Sequence, residues 1–203
     1  MVETRGKKKA FSESTALNAA MEVFWQKGYA GASLSDLTSS MDINKPSMYN
    51  TFGNKETLFL KTTEHYIKTK MLPHMALLNA PGLSLKTRLK NHIMSIVNMQ
   101  CDASNGSAKG CYLVLCQSEL ASGTVPPNAA KALREVDLAP SNLYEDLFLK
   151  DKEAISAKLH LQAAKNGLAI YTLLKGTASM ARTGITAIAL EHAVDTMLNG
   201  LGL

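Results

Sequence analysis

With 203 residues, 46% of them hydrophobic and 19% charged, the chain has the composition of a folded protein and the length of one large domain or of a small domain beside a medium one. Wholesale disorder is excluded on that ground, and no apolar run approaches the roughly 18 residues of a membrane span. The net charge is +5, and residues 1–10 hold four basic side chains against one acid, so a basic tail precedes a nearly neutral body.

No long apolar run follows the basic start, so it does not read as a secretory signal and a cytoplasmic protein is expected. Cys101, Cys111 and Cys116 match no zinc spacing and are expected to be reduced, small and buried. Histidines 65, 74, 92, 160 and 192 are scattered and form no metal pattern. No nucleotide-binding or nucleophile motif occurs, so neither a cofactor nor an enzyme is expected.

Helical spacing runs through nearly every segment, and strand-type alternation is almost absent, which predicts an all-α fold. The first helix runs from about Glu13 to Lys27, capped by Ser12 and stopped by Gly28. Its stripe is Leu17, Ala20, Met21 and Phe24, at i, i+3, i+4 and i+7. A second helix starts after Ser33, which forms a capping-box spacing with Asp36. A third covers about Lys45 to Phe52, with Asn44 as its cap and Pro46 in its first turn. Asn54 caps a fourth, which runs towards Leu72 and Pro73.

Farther on, Ser84 caps a helix over about 85–101, and a polar loop follows to Lys109. Another helix covers about 110–121. A proline-rich connection leads to a helix that Pro140 is expected to break or kink. Helical pattern then resumes from about Asn142 to the end, with Gly167, Gly176 and Gly184 expected to interrupt it.

Two short helices joined by a tight turn, the second capped and polar outside, fit a helix-turn-helix. On the third helix Met48 and Phe52 face inward. That leaves Lys45, Ser47, Tyr49 and Asn50 outward: a cation, two hydroxyls and an amide suited to phosphates or base edges. The same set also suits a plain solvated face.

Residues 17–66 closely resemble the TetR (tetracycline repressor) family. The resemblance is carried by Phe24-Trp25-Gln26-Lys27-Gly28-Tyr29, by Ser33-Leu34-Ser35-Asp36-Leu37-Thr38, and by Ser47-Met48-Tyr49-Asn50-Thr51-Phe52-Gly53-Asn54-Lys55-Glu56-Thr57-Leu58. It implies a three-helix DNA-binding domain over residues 11–60, after a flexible basic arm over 1–10. A larger helical domain over 61–203 would bind ligand and dimerise. Lys45, Pro46, Ser47, Tyr49 and Asn50 would lie on the recognition helix, with Ser33 and Lys55 meeting phosphates. Arg5, Lys7, Lys8 and Lys9 would lay an arm along the DNA. Asp42 stands where many relatives have glycine, and a slightly strained turn is expected there.

The implied partners are a palindromic double-stranded operator, a second copy of the chain and a small-molecule inducer. The last two helices, about 168–182 and 186–201, would dimerise through Gly176, Ala178, Ala181, Ile188, Val194, Met197 and Leu198. Met94, Met99, Tyr112, Leu115, Phe148 and Tyr171 are candidates to line an apolar ligand site. Cys111 and Cys116 are added as candidate thiol sensors, Cys111 because a helix N-terminus lowers the pKa of an exposed thiol. The function expected is a ligand-responsive transcriptional regulator, most simply a repressor. A helical adaptor or a thiol-based sensor on the same scaffold are the alternatives.

Overall fold

A computed structural model describes residues 12–104 and 107–203. Arg5, Lys7, Lys8 and Lys9, and with them the expected basic arm, lie outside the described residues. In those residues the chain is helical, without a strand. The order is α1 (Glu13–Gly31), α2 (Leu34–Ser40), α3 (Lys45–Phe52), α4 (Lys55–Tyr66), α5 (Leu72–Met75), α6 (Leu85–Cys101), α7 (Tyr112–Ser118), α8 (Pro127–Lys150), α9 (Lys152–Ser156), α10 (Ala163–Arg182) and α11 (Ala187–Gly200). None of these helices is long and apolar enough to cross a membrane.

The first four helices begin where local chemistry starts them. Ser33 Oγ accepts from the Asp36 amide at 3.0 Å, and Asp36 answers by accepting from the Ser33 amide, closing the expected capping box. Asn44 and Asn54 each accept from the amide three residues on, at 2.8 Å. Asp42 takes a left-handed φ of 52°, the conformation that favours glycine in the turn. At Gly28 the first helix kinks rather than stops: φ is 72°, and one more turn follows to Gly31.

Three sequence expectations are corrected farther along. The fourth helix, expected to run towards Leu72 and Pro73, ends as an α-helix at Tyr66, and a π-helical turn at Ile67–Met71 carries the chain into α5, which contains Pro73. Pro140 neither breaks nor ends α8, which runs unbroken over 24 residues. Gly167 and Gly176 sit inside α10 without interrupting it. Gly167 is required by packing: a Cβ there would lie 2.8 Å from the Glu145 amide nitrogen on α8. Gly184 does lie in the turn between α10 and α11, with φ of 97°.

Two cores result. One joins α1–α4 to α7 and the start of α8, and includes Trp25, Phe59, Tyr66, Tyr112, Cys116 and Leu133. The other joins α6, the end of α8, α10 and α11 around Ile93, Phe148, Ile170 and Val194. Burial of these large side chains supplies the main stabilisation, at about 1.5–3 kcal/mol for each fully buried apolar residue.

Beside the second core, His92 is fully buried. Its Nδ1 donates to the His74 carbonyl at 2.9 Å, and its Nε2 accepts from the Tyr144 hydroxyl at 2.8 Å, which fixes the neutral tautomer. Burial lowers the pKa of His92, and also those of His74 and His65. The unfolded chain takes up these protons from about pH 6.5 downward while the folded chain resists. Stability is therefore full above about pH 6.5 and falls as the pH drops below it. Urea unfolding at pH 7.5 and 5.5 should show a lower midpoint at the acid value, and His92→Gln should reduce the difference. A midpoint independent of pH would contradict this assignment.

Candidate nucleic-acid interface and ligand cavity

The sides of α3 differ in the way its sequence demands. Met48 and Phe52 are buried, while Lys45, Pro46, Ser47, Tyr49 and Asn50 are exposed. Tyr49 presents an aromatic ring and hydroxyl to solvent, 47% exposed. Nothing in the head's own packing requires that ring outside. The Lys27–Asp36 ion pair, at 2.6 Å, ties α1 to the start of α2. The two expected phosphate contacts are less free than their sequence suggests. Ser33 Oγ is engaged with Asp36. The Lys55 ammonium lies 4.4 Å over the Tyr29 ring, and burial lowers its pKa.

The head is clasped to the rest of the chain by charges that sequence reasoning missed. Glu119, just after α7, accepts from the Tyr29 amide at 2.6 Å and the Ala30 amide at 3.1 Å. Gly28 makes room for this carboxylate, since a Cβ there would lie 2.5 Å from Glu119 Oε1. In the other direction Glu56 on α4 accepts from the Asn128 and Ala129 amides at the start of α8, where the helix dipole favours an anion. Arg182 Nη2 also donates to the Trp25 carbonyl at 3.2 Å. Gly28 was the one visible sign of the first clasp, because Glu119 is 90 residues away.

Directly behind the shared core lies a cavity of about 370 Å³. Its size falls in the range of small-molecule sites, and its walls are mostly apolar. The π-helical turn, α6, α7, α8 and α10 enclose it. Of the residues singled out from sequence, Cys111 and Tyr171 line it. Met94, Met99, Tyr112, Leu115, Cys116 and Phe148 are not among its walls, and helix geometry explains why. On α6 it is Ile96 and Gln100, four apart, that face in. On α7 it is Leu113, Val114 and Gln117. Met94, Met99 and Phe148 belong to the second core instead, and Tyr112 and Cys116 to the first. The Tyr112 hydroxyl is bound to Thr63 at 2.8 Å. Leu115 is half-buried on another side of α7.

Cys111 and Cys116 are free and buried, as expected, and it is their candidacy as thiol sensors that is corrected. Cys111 does stand at the start of α7, but it is buried against the Tyr66 hydroxyl, and burial raises its pKa. The Cys116 thiol is pushed up by the same cause. Neither carries the thiolate character of a reactive sensor.

On the last two helices, Gly176 and Ile188 are exposed and Met197 is half-buried. Ala178, Ala181, Val194 and Leu198 are at most 1% exposed and lie within the chain's own packing, so they are corrected from outward face to interior. The outward stripe consists instead of Leu168, Gly176 and Met180 on α10, continued by Ile185 in the turn and Ile188 on α11.

Residues 16–62 match the family described as bacterial regulatory proteins, tetR family. Residues 16–62 form a TetR-family domain. The chain is 34% identical over 112 residues to the HTH-type transcriptional repressor ComR of Escherichia coli (strain K12), covering 55% of this chain and 52% of ComR. It is 38% identical over 109 residues to the uncharacterized HTH-type transcriptional regulator YezE of Bacillus subtilis (strain 168), covering 54% and 55%. The matches thus span about half the length of these curated relatives. A solved structure of the TetR-family regulator CifR, a cysteine mutant complexed with 26-bp double-strand operator DNA, superposes with a TM-score of 0.80 at 26% identity. It covers 95% of this chain and 98% of that one. The matched residues include α3, whose outward side carries Lys45, Ser47, Tyr49 and Asn50.

Lys45 is exposed and carries no core contact, so Lys45→Ala should leave the melting temperature unchanged. On a random-sequence duplex it should reduce the slope of log affinity against log salt by about one for each protomer bound. An unchanged slope would remove Lys45 from the interface.

Proposed function

We propose that this chain is a homodimeric transcriptional repressor of the cytoplasm that leaves a palindromic operator when a small molecule enters the cavity. Residues 11–60 read DNA, the basic arm at 1–10 adds phosphate contacts, and residues 61–203 sense and dimerise. The observation that carries the reading is the joint presence of a polar, outward α3 and an apolar cavity behind the core that holds α3 in place. The 26-bp operator complex of CifR supports the DNA half of it.

One recognition helix reads too few base pairs for a specific site, so two copies are needed. The exposed stripe of Leu168, Gly176, Met180 and Ile188 is a surface suited to pairing α10 and α11 with a second copy. Paired this way, the two heads would address successive major grooves about 34–36 Å apart. The inducer acts by preferring a state with another head spacing, and it shifts the balance only by that difference in affinity. Gln117 on the cavity wall lies two residues before Glu119, which holds Tyr29 and Ala30. A ligand that moves α7 therefore pulls on the head directly.

Fluorescence anisotropy with the DNA flanking the coding region tests the proposal. Wild type should bind tightly and with steep salt dependence, and Tyr49→Ala should lose at least tenfold, about 1.4 kcal/mol. Equal binding by both proteins, weak and indifferent to sequence, would refute it.

A further inference from the structure

The chemistry of the cavity wall says which ligands it accepts, on the reading above that the cavity is the inducer site. Its charges are already compensated. The Lys175 ammonium is ion-paired with Asp137 and lies over the Tyr171 ring. The Tyr171 hydroxyl donates to the same Asp137 at 2.5 Å. The neutral groups are engaged as well. Tyr144 is bound to His92. Gln100 donates to the Leu174 carbonyl and accepts from Thr177 at 2.8 Å. Cys111 is held by Tyr66 at 3.3 Å.

Gln117 differs. Its amide nitrogen donates to the Leu133 carbonyl at 3.3 Å. That carbonyl acceptor fixes which end of the amide is nitrogen. Its Oε1 is buried and has no hydrogen-bond partner among the described residues. Lys175, Asp137 and Tyr171 thus satisfy one another, and Gln117 Oε1 is left as an acceptor without a partner among the described residues. The wall side-chain group short of a partner is therefore an acceptor, and a buried acceptor left unmet is costly.

We propose that the inducer is an uncharged, largely apolar molecule with a hydroxyl or N–H donor, which it places on Gln117 Oε1. A carboxylate or ammonium ligand would enter an apolar space that offers it no free counter-charge, and is rejected.

Three matched probes separate the possibilities by calorimetry at pH 7 on the full chain: 4-butylphenol, 4-butylanisole and 4-butylbenzoate. The phenol should bind about tenfold more tightly than the anisole, and the benzoate should bind weakest. Gln117→Met keeps the size but removes the acceptor. It should bring phenol and anisole to within about twofold of each other, and retained anisole binding shows that the variant is folded. Tightest binding by the benzoate, or a phenol preference that survives in Gln117→Met, would overturn the proposal. If no probe binds wild type, it is the reading of the cavity as a ligand site that fails.

Discussion

Trp25, Tyr66 and Tyr112 come from three helices and meet edge to face or tilted, with ring centroids 5.0–5.3 Å apart along the run. Phe59 extends the run to Phe24 and Tyr29. The first three helices have too little apolar surface to close a core alone. The rings of α1 are covered by α4 and α7, so the head, helices α1 to α3, is packed as part of the larger helical body rather than beside it. Aromatic contacts of this kind prefer definite geometries, so they fix an angle as well as supplying burial.

That constraint gives the cavity its significance. Cys111 and Leu113 flank Tyr112 in sequence and line the cavity, while Tyr112 itself faces the shared core. Ile67 follows Tyr66 in the same way. A change of cavity shape therefore reaches the head through single residues of α4 and α7. The Glu119 and Glu56 clasps lie at the rim of the same contact. Close-packed cores deform little and instead choose between discrete arrangements, so small shifts at such a contact become rigid rotations.

The sequence revealed most where structure is set by neighbours within four residues. Ser33 with Asp36, Asn44, Asn54 and Pro46 announced the helix starts, and the spacing of Met48 and Phe52 gave α3 its inner side. Where structure depends on distant partners, it was silent. Nothing local tells that Glu119 will cap Tyr29, or that Gly167 must be small because α8 crosses it. Periodicity shows that α10 and α11 have apolar sides without showing which side the chain buries itself. That is why Ala178, Ala181, Val194 and Leu198 turned out to be interior. The cavity residues suffered the same ambiguity, since a pocket wall and a packed core use the same side chains. Pro140 misled because an isolated proline usually ends a helix, whereas α8 continues past it along the cavity.

Native-state hydrogen exchange read by mass spectrometry tests the shared core most directly. If the head depends on the body, amides of α1 and α4 should open only with those of α7, at the free energy of global unfolding. If peptides from α1 to α3 exchange at a distinctly lower free energy while α7 stays protected, the head is an independent unit, and the coupling described above does not exist.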